Sequence, residues 1–467
     1  MNAVDPKNRM NELTSREWLQ FQKSWFVLEN FPLPDFIRFF TKSNYENGHS
    51  GHVGVYPTEL IERNQKELPE DRSYIAISNT DSKQAADYVY IDLTDINSRA
   101  KLFAAKTQID GLIAWCRKNL GEQKYITIAA QNIHGENGSQ PIAWEITKWF
   151  SEFFAQKDEK IGCRANSEEE QAENQNGWAP RNTVTYFLHF RKEKELPRQL
   201  TFELPWPEEK TKSTLPKSTR AYDFTENWYI HRPPRREKGV LLHPAKFPED
   251  LVERYIQNFT SRGEWVLDPM AGTGSSLLAA ANCGRHAAGI ELNPEFVEIA
   301  KARFAANAQI ALVTGDAVEA KSYTEFPMLD YAITSPPYWD MLRMRGAETQ
   351  QKRKAAGLQR WYSEDPNDAG NIADYLEFIK LLAKIYHHVA LKLKPGGYFT
   401  IIVKNVKKKG VIYPLAWDIV AALKEDYIYC GEQFWCQDDQ RLSPFGYRYA
   451  WVSNTFHHYC LTFRRKG

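Results

Sequence analysis

Asp268-Pro-Met-Ala-Gly-Thr-Gly-Ser-Ser276 follows an apolar run and opens a helical pattern. Gly272 and Gly274 let the backbone turn tightly and come close to a ligand. The amides of Thr273 to Ser276, at a helix N-terminus, suit an anionic group. No Lys follows the glycines, so this is not a P-loop, and Leu277 fills the third place of a G-x-G-x-x-G pattern. A lone G-x-G is equally a tight turn, but two carboxylates change the reading. Glu291, in Gly289-Ile-Glu-Leu-Asn293, ends the next expected strand, where a carboxylate accepts hydrogen bonds from both ribose hydroxyls. Asp316, in Thr314-Gly-Asp-Ala317, ends the third and is placed to receive an adenine amino group. Three strand ends converge on one crevice, which points to a nucleoside-bearing cofactor.

A second constellation, Thr334-Ser-Pro-Pro-Tyr-Trp339, ends the fourth expected strand. A Pro-Pro pair is out of place inside a ladder, so it closes the strand and fixes a rigid loop on the same crevice. The Ser335 hydroxyl and the Pro336 carbonyl can accept hydrogen bonds from an amino group, and Tyr338 offers a flat face to a planar base. Without the glycine loop upstream, the same residues would read as a rigid turn with an aromatic plug.

The elements that position these residues lie in the last 230 residues. Near-continuous apolar runs at 264–268, 287–291, 311–314, 330–334, 398–403, 433–437 and 459–463 have the character of strands buried on both faces. Helical patterns separate them. Pro294–Phe304 has Asn293 as its expected N-cap and one apolar face of Phe296, Ile299, Ala300 and Phe304, and Lys394-Pro-Gly-Gly397 stops a helix that begins near Asp374. This alternation predicts an α/β fold with a doubly wound, mostly parallel seven-stranded Rossmann-like sheet.

The chain has 467 residues, 42% hydrophobic and 25% charged, with a formal net charge of +1. This is a globular composition, and any binding of nucleic acid needs a local basic patch. Cys116, Cys163, Cys283, Cys430, Cys436 and Cys460 show no C-x2-C pair and read as reduced thiols, neither a disulfide frame nor a zinc site. His231, His387, His388, His457 and His458 have no metal-ligand spacing and read as ordinary polar or partly buried residues. No metal is expected. No signal peptide or apolar run of 18 residues is seen, so a cytoplasmic protein without membrane contact is expected.

Self-comparison reveals an internal echo. Blocks at 125–132, 141–146 and 186–191 recur 273 residues later. Pro57–Arg63 echoes Pro248–Arg254, and Phe21–Val27 echoes Phe224–Ile230. Residues 1–192 are therefore expected to be a shortened, degenerate copy of 239–467, with 193–238 as a Pro-rich linker. The copy has no glycine loop after Tyr74–Ile77 and offers Ile91-Asp-Leu-Thr94 where the second copy has Ser-Pro-Pro-Tyr. It is expected to bind no cofactor and do no chemistry, and to pack on the second copy as a built-in partner.

Over residues 224–467 the sequence resembles the S-adenosylmethionine-dependent DNA amino-methyltransferases, which methylate cytosine N4 or adenine N6. Ser335-Pro-Pro-Tyr338 is similar to that family's catalytic motif, Asp268–Gly274 to its cofactor loop (Met270 stands where Phe is commoner), and His243–Pro248 to the segment covering the methionine end of the cofactor. The motif order resembles the gamma arrangement. The resemblance implies catalytic roles for Ser335, Pro336, Pro337 and Tyr338. It implies cofactor contacts from His243, Pro244, Phe247, Asp268, Pro269, Ala271, Gly272, Thr273, Gly274, Ser275, Glu291, Leu292, Asp316 and Ala317. The serine form is associated mainly with cytosine N4, and adenine N6 is the alternative. An RNA amino-methyltransferase and a non-enzymatic S-adenosylmethionine-binding regulatory module are the further alternatives. The partners implied are double-stranded DNA, with the target base flipped out, and a cognate restriction endonuclease in a prokaryotic restriction–modification setting. Arg343, Arg345, Lys352, Arg353 and Lys354, just after the catalytic motif, and Lys407 and Lys408, after the fifth expected strand, are the candidate phosphate contacts.

Overall fold

The computed structural model describes residues 11–29, 32–77, 85–135, 137–165, 177–196, 203–207, 220–232, 248–304, 307–339, 368–408, 410–438 and 453–467. Two sheets are built from the two parts of the chain. The first contains β1 (Trp25–Val27), β2 (Gly51–Tyr56), β3 (Arg72–Ala76), β4 (Ala86–Asp92), β5 (Leu120–Ala130), β6 (Ala155–Cys163) and β7 (Val184–Arg191), in the order β1-β6-β7-β5-β4-β2-β3. The second contains β8 (Trp228–Ile230), β9 (Trp265–Asp268), β10 (His286–Glu291), β11 (Ile310–Thr314), β12 (Leu329–Thr334) and β13 (Leu393–Val403). After a small hairpin of β14 (Val406–Lys408) and β15 (Val411–Tyr413), it is completed by β16 (Tyr427–Cys436) and β17 (His457–Arg465). Its order is β11-β10-β9-β12-β13-β17-β16-β8. The mostly parallel α/β expectation holds: among the described strands of the two large sheets only β7 and β17 run against their neighbours. The seven expected strands are joined at one edge by the short β8.

Strand order, direction and register repeat between the two sheets. Tyr125 faces Arg191 as Tyr398 faces Arg464, and Trp25 faces Ile161 as Trp228 faces Phe434. Even the irregularities recur: β4 slips against β5 between Ala86 and Tyr88, and β12 against β13 between Leu329 and Tyr331. β11 has no counterpart among the described strands of the first sheet.

Three sequence expectations are corrected. The echo of Pro57–Arg63 with Pro248–Arg254 is not structural: the helix Glu249–Phe259 precedes β9, whereas Glu59–Arg63 follows β2. The true counterpart is Leu33–Phe40, before β2. Tyr74–Ile77 is not the cofactor-loop strand of the first half either. Its residues Tyr74–Ala76 belong to β3, which pairs with β2 as β10 pairs with β9, so the counterpart of the glycine loop follows β2 at Tyr56-Pro57-Thr58. Finally, the 193–238 stretch is more than a connector, since it supplies β8. Asn227 anchors that strand by accepting from Phe434 N at 2.8 Å and donating to Glu432 O at 2.7 Å.

The halves share one apolar core, which runs from Ile126 and Leu188 to Ile401 and Leu461. Trp144 and Trp417, equivalent residues of the two halves, stack on each other with centroids 5.5 Å apart. Around them a buried polar network is exchanged. Tyr186 and Asn132 of the first half donate to Glu432 Oε1 at 2.7 and 3.0 Å. Tyr459 and Asn405 of the second donate to Glu159 Oε1 at 2.5 and 3.2 Å. Each half thus donates to a carboxyl group that the other half buries, as burial of a polar group requires.

Candidate active site

The glycine loop leaves β9 and enters the helix Ser275–Asn282. Gly272 and Gly274 both have positive φ, 53° and 76°, which side chains rarely adopt. A Cβ on Gly274 would also stand 2.2 Å from the Phe304 ring, so helix Pro294–Phe304 packs against this turn only because the residue is glycine. Arg303 of that helix donates to the Thr273 carbonyl and pairs with Glu249 at the start of helix Glu249–Phe259. This clamp was missed in the sequence, where a basic residue in a last helical turn reads as a surface cation.

Asp268 lies at the end of β9, 1% exposed. Its Oδ1 accepts from Met270 N at 3.0 Å and Thr334 Oγ1 at 2.7 Å, and its Oδ2 accepts from Ser276 Oγ. Burial raises its pKa, and those donors only partly offset the effect. Asp268 therefore acts as a tie between the loop, its helix and the end of β12. Pro269, Ala271 and Ser275 are buried with it.

Glu291 ends β10. Its Oε2 accepts from Gly272 N at 2.7 Å and its Oε1 from Asn293 N at 2.8 Å, which fixes the carboxylate beside the loop. Burial, reinforced by Asp268 and Asp368, pushes its pKa up to about 7 against those two hydrogen bonds. Gly315 N donates to Glu291 O at 3.0 Å, which brings the turn carrying Asp316 alongside. Asp316 Oδ1 accepts from Val318 N at 2.9 Å. Leu292 is half-buried and Ala317 is buried in the core. The structure thus brings together the 268–275, 291–292 and 316–317 groups. His243, Pro244 and Phe247 lie outside the described residues.

Ser335-Pro-Pro-Tyr338 leaves β12, the neighbour of β9, with Leu267 opposite Ala332. Ser335 Oγ donates to the Tyr338 hydroxyl at 3.4 Å, and its lone pairs remain available as acceptors. Trp339 is 3% exposed, packed between Tyr413 (centroids 4.5 Å) and Tyr375 (5.0 Å), with Lys408 Nζ 4.3 Å from its ring centre. Trp339 therefore anchors the far end of the loop in the core. In the first half, register puts Asp92 where the second half has Ser335, one residue on from the sequence expectation. Asp92 Oδ1 is taken up by Thr94 N and Oγ1, at 2.9 and 2.7 Å.

Of the basic candidates, Arg343, Arg345, Lys352, Arg353 and Lys354 lie outside the described residues. Lys407 is a correction. It pairs with the buried Asp158 of the first half and donates to Ser453 O at 2.9 Å, so its charge is committed to the junction between halves and is not offered to phosphate. Among the described residues no cluster of three or more His, Cys, Asp or Glu is arranged to hold a metal, and no helix is long and apolar enough to cross a membrane.

Residues 88–302 match the profile of a DNA methylase family of the N6/N4 type. The match begins on β4 and ends in helix Pro294–Phe304. It therefore contains the glycine loop and the first half's Asp92 turn, and stops short of Ser335–Tyr338. The Type II methyltransferase M.MthZI of Methanothermobacter thermautotrophicus is 38% identical over 66 residues, 14% of this chain and 19% of that protein. The Type II methyltransferase M.BglII of Bacillus subtilis is 39% identical over 73 residues, 16% of this chain and 20% of that protein. The aligned part of this chain spans about a fifth of the length of these curated relatives. The crystal structure of TrmN from Thermus thermophilus aligns over 48% of this chain and 50% of its own, at 14% identity and a TM-score of 0.30. Over residues 88–302 the chain is thus similar to the DNA methylases of the N6/N4 type, and short segments of it are similar to Type II methyltransferases.

Proposed function

We propose that the protein transfers a methyl group from S-adenosylmethionine to an exocyclic amino group of a base flipped out of double-stranded DNA, with cytosine N4 as the target. The observation that carries this reading is the bond from Thr334 to Asp268, which couples the glycine loop to the Ser335-Pro-Pro-Tyr338 loop on adjacent strands. The donor set suits the cofactor: Glu291 for the ribose hydroxyls, Asp316 for an adenine amine, and the helix-opening amides of Ser275 and Ser276 beside them.

When bound, the cofactor supplies an electrophilic methyl carbon on a sulfonium. The residues of this chain supply position and polarity. An exocyclic amine shares its lone pair with the ring and is a weak nucleophile. Ser335 Oγ and the Pro336 carbonyl accept its two hydrogens and draw the nitrogen toward a tetrahedral shape. The Tyr338 ring stacks on the base and holds the amine in line. Pro336 and Pro337 keep the loop rigid, so little reorganisation accompanies the reaction.

The serine at the head of the motif supports N4 over N6 by resemblance alone. The first half, 1–192, is read as a partner without cofactor or chemistry, since Asp92 caps its own turn and no glycine loop follows β2. A prokaryotic cytoplasmic restriction–modification setting with a cognate endonuclease completes the proposal. The test is incubation of the full chain with S-adenosylmethionine and unmethylated genomic DNA or total RNA, followed by mass spectrometry of the nucleosides. N4-methylcytosine in DNA is expected. N6-methyladenine would move the target, methylated RNA would move the substrate, and cofactor binding without any product would leave a regulatory module.

A further inference from the structure

β17 begins with two histidines, and a strand sends neighbouring side chains to opposite faces. His457 turns to the first half. Its Nδ1 is 2.8 Å from Ser24 Oγ, and its Nε2 lies 3.6 Å from Glu159 Oε1. Ser24, fully buried, also accepts from Phe456 N at 2.8 Å. The adjoining backbone is held from the same side: Asn454 N donates to Gln22 O at 2.8 Å, Trp25 Nε1 to Gln437 O at 2.8 Å, and Ser453 N to Asp158 Oδ2 at 2.6 Å. The start of β17 and the end of β16 are thus gripped by the Gln22–Trp25 segment and by β6.

His458 turns the other way. It lies directly across from Trp435 on β16, and the two rings stack at 4.2 Å and 13°. Trp435 is itself held through Nε1, which donates to His231 O at 3.2 Å. His458 also meets Tyr338, with ring centroids 6.2 Å apart and the planes tilted at 56°. His458 is 6% exposed, and its Nδ1 has no hydrogen-bond partner among the described residues. An imidazole buried this way serves its neighbours by shape and stacking.

We propose that the first half positions the catalytic tyrosine: Ser24 fixes His457, and so the start of β17, from which His458, stacked on Trp435, backs the ring of Tyr338. This rests on the methyltransferase reading above. It gives residues 1–192 a task in the reaction without any contact with cofactor or base. His458 and Ser24 are positioning residues, acting through Tyr338.

The test uses the full chain with Ser24→Ala, His458→Ala and His458→Phe. Three quantities are measured: amide exchange at Ser335, Tyr338 and Trp339, affinity for S-adenosylmethionine by equilibrium dialysis, and kcat and KM for methyl transfer to unmethylated genomic DNA. Both alanine variants should speed loop exchange severalfold and lower kcat by about tenfold, with cofactor affinity within twofold of wild type. The double alanine variant should be no slower than His458→Ala alone, because the two act in series. His458→Phe, which keeps a stacking ring, should recover kcat to within about threefold. Wild-type exchange and kcat in Ser24→Ala would overturn the proposal, as would a loss of cofactor affinity that matches the loss of kcat. A wild-type protein that methylates no DNA would instead sink the methyltransferase reading, and the exchange measurements would still decide whether Ser24 and His458 hold the loop.

Discussion

Thr334 Oγ1 donates to Asp268 Oδ1 at 2.7 Å, between the last residue of β12 and the last residue of β9. One bond therefore sets the distance between the loop read as holding the cofactor and the loop read as holding the base. The Asp268 carboxylate also accepts from Met270 N and Ser276, so the loss of Asp268 and the loss of Thr334 differ in kind.

Thr334→Val removes the tie and keeps the shape. It leaves a buried carboxylate one donor short, at a cost of roughly 1–3 kcal/mol. The expected result is a kcat lowered by about one order of magnitude with S-adenosylmethionine affinity within threefold. Asp268→Ala frees the loop, the helix and β12 together and should lower affinity and kcat alike. Dialysis and steady-state kinetics on both variants check this. Equal loss of cofactor binding in Thr334→Val would show that the bond serves the glycine loop alone.

In the proposed reading, Ser335→Ala acts on the amine and Tyr338→Ala on the base. Each should lower kcat by two orders of magnitude or so while S-adenosylmethionine binding stays within twofold, because neither lies in the cofactor cradle. Tyr338→Phe should retain most of the rate: stacking needs the ring, and the hydroxyl only meets Ser335 at 3.4 Å. A Tyr338→Ala variant with wild-type turnover would remove the catalytic assignment.

Glu291 gives a pH prediction. Burial pushes its pKa up to about 7, so the free protein holds it largely protonated at pH 6. Ribose hydroxyls donate best to the ionised carboxylate, and affinity for S-adenosylmethionine should therefore rise from pH 6 to pH 8, by up to about tenfold. Glu291→Gln should bind more weakly at pH 8 and lose this dependence. The stability effect has the opposite sign. A carboxyl raised above its ordinary 4.5 contributes stability that is complete below that pH and is lost as pH rises through about 7. Glu291→Gln without cofactor should therefore unfold at a higher temperature than wild type at pH 8, and calorimetry at pH 5 and 8 reads the difference. Affinity that is flat across this range would show that Glu291 does not hold the ribose.

Much of this architecture was legible in the chain. The runs at 264–268, 287–291, 311–314 and 330–334 became β9 to β12 with shifts of one residue, because strands buried on both faces leave unbroken apolar runs. β16 was read only from residue 433, but it begins at Tyr427. Glu432 and Gln433 interrupt its apolar run, and they are buried because the first half and the β8 segment supply their partners. No local pattern carries that information. β8 is three residues long, too short for any period, in a Pro-rich setting. The false echo of 57–63 with 248–254 arose because two helix starts share an amphipathic pattern wherever they sit. Lys407 read as a candidate phosphate contact because its partner, Asp158, is 249 positions away in the chain.

The exchanged carboxylates yield the last prediction. Glu432 is 1% exposed and accepts from Tyr186, Asn132 and Tyr429, so Glu432→Ala strands three buried donors. Glu159 accepts from Tyr459 and Asn405 through one oxygen, and its Oε2 has no partner among the described residues. Removing a buried carboxylate from donors built around it costs on the order of 3–5 kcal/mol, and the cost grows with the number of donors stranded. Glu432→Ala should therefore be the more destabilising of the two, by roughly 1–2 kcal/mol in urea unfolding. Because the apolar core is continuous across the halves, both variants should keep one unfolding transition followed alike by fluorescence and circular dichroism. Two separated transitions would mean that the halves are independent folding units and that their pairing is secondary to each fold.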